Sequence, residues 1–226
     1  MRAARNLRLL HKPVDRWQGT LKTVLFLPWT ETQVRISCVL TAHQLNPMPP
    51  DLIVFPEGIL PEEVAKAQAS HPESMIVGAT DEGGRSRGLL LHRGENRIDY
   101  LKVETDGLTK GSRDLQQNPV YQFGKVCIGV LICMDVNLPE FSCAVIAKVR
   151  SSSAKLKLIC IPADMGNEWF DGDSLLFPKK FEGTHVILCN HIKTYPRVRC
   201  KSFVTDAHGT KIVVQNEGEP IHTELP

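Results

Sequence analysis

Eight apolar runs of strand length recur along the chain: Thr23 to Leu27, Asp51 to Phe55, Met75 to Ala79, Gly88 to His92, Val126 to Ile132, Leu156 to Ile161, His185 to Cys189 and Lys211 to Val214. Several are nearly continuous rather than alternating, the pattern of strands covered on both faces. Helical spacing lies between them. Gln33 to Leu45 sets Val34, Cys38 and Ala42 on one face after Thr30 or Thr32 as N-cap, with Asn46-Pro47 as a stop, and so predicts a helix. Pro139 to Val149 predicts a second, with Phe141, Val145 and Val149 one turn apart and Pro139 near its first position. Strands alternating with helices imply a layered α/β domain.

The 226 residues are enough for one such core. With 42% apolar and 23% charged residues, the composition excludes disorder, collagen-like repetition and coiled coil as the main architecture. A net charge of +2 gives no electrostatic reason to expect a nucleic-acid partner, and no apolar run is long enough to cross a bilayer. Arg2, Arg5, Arg8, Lys12 and Arg16 against the single acid Asp15 read as a basic N-terminal arm over residues 1–20, with a targeting segment as the alternative. Residues 21–226 then form one domain. No interdomain linker is visible, and Gly83 to Gly88 reads as a hairpin loop. The seven cysteines contain no CxxC pair and sit mostly in apolar runs, which predicts buried thiols in a reducing, cytoplasmic setting rather than disulfides or a zinc site.

Three segments carry chemistry. The run Val126 to Ile132 stops at Cys133, and a helix begins at Pro139, so Cys133 belongs on a sharp strand-to-helix turn. Such a turn exposes a nucleophile and aims backbone N–H groups at a developing oxyanion. A thiol of ordinary pKa also needs a base and a cation. Asp51 to Glu57 offers the base, a carboxylate at the carboxyl end of a buried strand. In Arg97 to Val103, Tyr100 and Lys102 alternate onto one side, and Lys102 is the cation. Each segment taken alone fits a plain role better: a small buried thiol, a solvated glutamate, a solvated lysine.

Together they resemble the nitrilase, or carbon–nitrogen hydrolase, superfamily. Phe55-Pro56-Glu57 resembles its glutamate motif, Tyr100-Leu101-Lys102 its Tyr-x-Lys motif, and Ile132-Cys133-Met134-Asp135 through Pro139-Glu140 its cysteine motif, in the family's order. Ile161-Pro162-Ala163, Phe181-Glu182, Cys189-Asn190 and Asp206-Ala207-His208-Gly209 extend the likeness over about residues 21 to 216. The resemblance implies a four-layer α-β-β-α sandwich. It also implies a Glu57-Lys102-Cys133 triad, with the Met134 N–H as a second oxyanion donor and Asn190 in support. The family's second glutamate is missing after the lysine motif, and Glu104 or Asp114 is the available substitute.

The implied reaction is cleavage of a non-peptide or terminal amide through a cysteine thioester. The Cys-x-Asp spacing resembles the amidase branches more than the nitrilase branch. Carbamoyl compounds are also within the family's range. The expected partners are a small-molecule amide and a second copy of the chain, paired across Pro139 to Val149, with no nucleic acid, no membrane, no cofactor and no metal. Lys193, Arg197 and Arg199 could line a substrate mouth or form a solvated basic face. Two alternatives stand beside the hydrolase: an inactive scaffold or binding protein on the same fold, and a thioester-based amide or acyl transferase.

Overall fold

The computed structural model describes residues 33–45, 49–103, 114–164, 176–191, 201–215 and 219–226. The strands of the first sheet are β1 (Val34–Cys38), β2 (Leu52–Glu57), β3 (Met75–Asp81), β4 (Ser86–His92), β5 (Glu95–Asn96) and β6 (Tyr100–Leu101). Those of the second are β7 (Val120–Phe123), β8 (Val126–Val130), β9 (Leu156–Ala163), β10 (His185–Asn190), β11 (Phe203–Thr205) and β12 (Lys211–Val214). The last strand, β13 (Ile221–Leu225), returns to the first sheet beside β1. Among the described residues three α-helices accompany them: α1 (Pro61–Ser70), α2 (Pro139–Ser151) and α3 (Leu176–Phe181).

Both sheets are mixed. The first runs β13-β1-β2-β3-β4-β5, with β6 also on β4, and the second runs β12-β11-β10-β9-β8-β7. Parallel pairing is confined to the centres, β1 to β3 and β8 to β10, and antiparallel strands close the edges. The faces of β2 and β3 turned toward β9 and β10 interleave into one core. On the outside, α1 covers β3 and α2 covers β8 and β9, which completes an α-β-β-α sandwich as expected.

Alternation over the first four residues of β2 explains why a continuous apolar run is needed. Leu52 and Val54 enter the core between the sheets, whereas Ile53 and Phe55 pack outward with Val64 and Ala67 of α1. On the other flank α2 buries Phe141, Val145, Ile146 and Val149. Gly129 in β8 makes this approach possible, because a Cβ there would stand 2.9 Å from Ile159 Cδ1 and 2.9 Å from Val149 Cγ2.

One predicted element is wrong. The segment read as a helix over Gln33 to Leu45 is instead β1 followed by one 3-10 turn, Ala42–Gln44. Val34, Ile36 and Cys38 alternate into the core, and the strand pairs with both β2 and β13. Residues spaced by four satisfy a period of two as well as one of 3.6, so backbone partners distant in sequence decided between them. The arm of residues 1–20 and the run Thr23 to Leu27 lie outside the described residues. Among the described residues, no helix is long and apolar enough to cross a membrane.

Candidate active site

Glu57 reaches the space between the sheets through an irregularity in β2. Leu52 pairs with Met75 and Val54 with Val77, but the next inward residue of β3, Ala79, pairs with Glu57 rather than Pro56. One extra residue on β2 reverses the alternation, so Glu57 faces the core side instead of α1. Pro56, which has no N–H to give the ladder, sits inside this bulge.

Lys102 arrives from the neighbouring edge. Tyr100 pairs with Gly88, and the Lys102 N–H donates to the Ser86 carbonyl at 2.9 Å. Its ammonium lies 2.8 Å from Glu57 Oε1, with Lys102 0% and Glu57 6% exposed. The Ser86 hydroxyl donates to the same Oε1 at 2.5 Å. Glu57 Oε2 is buried and accepts no hydrogen bond among the described residues.

Cys133 occupies the turn that follows β8 and opens a 3-10 turn running to Asn137, with a φ of +48°. Left-handed backbone is unfavourable for a residue bearing a Cβ, a strain that clusters at functional turns. The thiol is 1% exposed, and its Sγ lies 3.8 Å from the Asp164 carbonyl oxygen, just beyond β9. Burial, and then the neighbouring Glu57 charge, push the thiol well above its ordinary pKa, while the Lys102 charge pulls the other way. The thiol is therefore held protonated at neutral pH. Met134 is the second residue of the 3-10 turn, where a backbone N–H has no acceptor within the turn, and it is half-buried.

Asp135 binds the cysteine and lysine segments together. Its Oδ2 accepts from the Tyr100 hydroxyl, and its two oxygens accept from the Val103 N–H at 3.0 and 3.2 Å. The Tyr100 oxygen in turn accepts from the Ile132 N–H at 3.1 Å, and its ring stacks on Phe141 with centroids 5.5 Å apart. Gly88 admits that ring: a Cβ there would come within 2.6 Å of Tyr100 Cδ1. Burial and the Asp135 charge drive the Tyr100 pKa far up, so the hydroxyl remains a donor.

Asn190 ends β10 fully buried, beside Ala163 in the parallel ladder and so next to the Asp164 corner that touches Cys133. Its N–H donates to the Ser202 hydroxyl at 3.0 Å. Asp114 does not join the group. It is exposed, and its carboxylate accepts from the Gln116 N–H of its own turn at 2.9 Å. The side chain that braces this stretch is Gln117, which bonds both backbone groups of Leu101. Glu104, Lys193, Arg197 and Arg199 lie outside the described residues.

Sequence reasoning missed Ser86 and gave Asp135 no structural task. A serine opening a strand carries no signal of its own. Asp135 stood in the cysteine motif, but its partners appear only once the sheets are folded. Among the described residues, no group of three or more His, Cys, Asp or Glu side chains is placed to hold a metal ion.

No protein-family model matches the sequence, and no curated protein matches it. Solved structures do. The chain is similar to an amidase from Nesterenkonia sp., at 20% identity and a TM-score of 0.63 over 85% of this chain and 90% of that one. It is also similar to Saccharomyces cerevisiae Nit3, described as a member of branch 10 of the nitrilase superfamily, at 16% identity and a TM-score of 0.61 over 86% and 90%. A variant of the amidase from Nesterenkonia sp. AN1, at 18% identity and a TM-score of 0.62 over 87% and 93%, carries the result of Michael addition of acrylamide at its active-site cysteine. Two mixed sheets face to face, flanked by α1 and α2, and this likeness over most of the chain show that the protein has the fold of the nitrilase-superfamily amidases.

Proposed function

We propose that the protein is a carbon–nitrogen hydrolase that cleaves a small linear amide through a thioester on Cys133. The observation that carries this reading is the buried Glu57–Lys102 pair, 2.8 Å apart, set against a thiol on a left-handed turn. Burying a charged pair is costly, and a fold gains no stability from it that apolar side chains would not supply. A site that must move a proton and hold an oxyanion does need both charges.

Because Cys133 is protonated at rest, the thiolate forms only as it attacks. Glu57 Oε2 takes the Sγ proton while Sγ bonds the amide carbon, and the carbonyl oxygen becomes an anion held by the Lys102 ammonium and the Met134 N–H. The carbon–nitrogen bond then breaks, with the proton passing from Glu57 to the departing nitrogen. Water, deprotonated by Glu57, attacks the thioester; the proton returns to Sγ and the acid is released. The end of β10 at Asn190 and the backbone at Asp164 border this space.

The same reading includes a homodimer paired over α2, whose outward side carries Cys143, Ala144 and Ala147, and a cytoplasmic setting, in keeping with the six free thiols among the described residues. Acyl transfer would share every step up to the thioester. The decisive experiment is an ammonia-release screen over short aliphatic amides, carbamoyl amino acids and peptide terminal amides, repeated with hydroxylamine as a competing acceptor. Release abolished in Cys133→Ala supports the hydrolase. No release from any of these classes by the intact protein, with no selective alkylation of Cys133, would leave the scaffold.

A further inference from the structure

We infer that Ser86 is a positioning residue that fixes which oxygen of Glu57 carries the proton, an inference that rests on the hydrolase reading above. Ser86 is 2% exposed and makes two contacts at once: its hydroxyl donates to Glu57 Oε1 at 2.5 Å, and its carbonyl accepts the Lys102 N–H at 2.9 Å. One residue thus ties the base by its side chain and the cation by its backbone.

A carboxylate turns easily about its last bond, and an unrestrained one offers either oxygen to a neighbour. Here Oε1 already accepts from the Lys102 ammonium and the Ser86 hydroxyl, both charge-assisted bonds. A proton added at Oε1 would have to displace one of them. Oε2 has no donor among the described residues, so it is the oxygen left to receive the Cys133 proton and to pass it to the leaving nitrogen. With Lys102 alone, the ammonium would fix Oε1 from one direction; the second donor, from β4, removes the remaining rotation.

The surroundings of Ser86 fit this task. Along β4 the residues in register with Ser86 are Gly88, Leu90 and His92, and Ser86 and Gly88 are small where Glu57, Lys102 and Tyr100 crowd in. Outward, Arg87 pairs with Glu82 at 3.0 Å and Asp99 at 2.8 Å, anchoring the strand from the solvent side. An alanine at position 86 would keep the strand and lose only the donor.

Iodoacetamide alkylation of Cys133, followed by mass spectrometry on the full chain, tests this without a known substrate. Cys143, exposed on α2 in the single chain, serves as the internal reference, with wild type and variants compared at equal protein concentration so that any pairing over α2 is the same. Ser86→Ala is expected to slow Cys133 alkylation about tenfold or more, the worth of a hydrogen bond to a charged group, and to leave Cys143 unchanged. Ser86→Thr, which keeps the hydroxyl, is expected to recover most of the rate. In a Glu57→Gln background Ser86→Ala should add less than about twofold, because a residue acting through Glu57 has nothing left to act on. An unchanged rate in Ser86→Ala, or a loss that multiplies fully with Glu57→Gln, overturns the inference. Should Ser86→Ala fail to fold, Ser86→Gly gives the same comparison. If wild-type Cys133 reacts no faster than the buried Cys127, the hydrolase reading falls first and takes this one with it.

Discussion

The Tyr100 hydroxyl donates to Asp135, and this bond makes one unit of two motifs that lie 35 residues apart. Tyr100 and Val103 flank Lys102, and both are held by the carboxylate that sits two residues after Cys133. The segments that carry Lys102 and Cys133 are therefore positioned by the same side chain. Asp135→Asn keeps the shape but weakens acceptance from two donors at once. A loss of about tenfold or more in amide turnover is expected, with unfolding shifted by about 1–3 kcal/mol, measured by urea titration alongside ammonia release.

Gly88→Ala tests the same unit from its other side. The added Cβ would press on a ring locked between Asp135, the Ile132 N–H and Phe141. Overpacking of this kind costs about 1–3 kcal/mol. Turnover should fall more than stability does, since Lys102 follows Tyr100; equal activity in a folded variant would show that the ring can move freely.

The triad substitutions should separate by their effect on stability. Cys133→Ala is expected to abolish turnover in a folded protein. Glu57→Gln removes the proposed base and should cost about a hundred- to ten-thousand-fold in turnover; it also leaves the buried Lys102 ammonium without the Glu57 charge, so unfolding should shift as for a broken buried pair. Lys102→Met strands a buried carboxylate that had an ammonium at 2.8 Å, and breaking a buried pair costs about 3–5 kcal/mol. Thermal and urea unfolding of the three variants would rank them, and a Lys102→Met protein as stable as wild type would place the Glu57 charge in contact with solvent.

Alkali should destabilise the protein by charging thiols that the fold keeps buried. Burial raises the thiols of Cys160 and Cys189 well above the ordinary value of 9.0, and that of Cys127 above it as well. Groups whose folded-state pKa is raised contribute stability that is whole below the unfolded value and is lost as pH climbs toward the folded one. Urea midpoints are expected to hold up to about pH 8.5 and fall steadily above it. Cys160→Ala should flatten that fall while lowering the plateau, because it leaves a cavity.

A homodimer paired over α2 predicts twice the chain mass of 25.2 kDa by light scattering at micromolar concentration. Ala147→Glu, on the outward side of α2, should yield monomers that keep their fold. A monomeric wild type would remove the dimer from the proposal.

Local pattern was enough for much of this protein. Seven of the eight apolar runs are strands, α2 starts at Pro139, the hairpin at Gly83 and Gly84 turns between β3 and β4, and Cys133 closes a strand before a helix. Burial on both faces and a proline at a helix start are written in consecutive residues, and they survive without knowledge of neighbours. Tertiary pairing decided the rest. Val34, Cys38 and Ala42 fit a helix until β2 and β13 supplied hydrogen-bond partners on either side. Simple alternation from Leu52 would send Glu57 outward toward α1, and only the extra residue opposite Ala79 turns it to Lys102. Ser86 had no sequence mark because its contacts, one 16 and one 29 residues away, exist only when β2, β3, β4 and β6 are assembled in one sheet. Sequence thus determined which residues could perform the chemistry, and the ladder registers determined where each one points, because a shift of one residue along a strand moves a side chain to the opposite face.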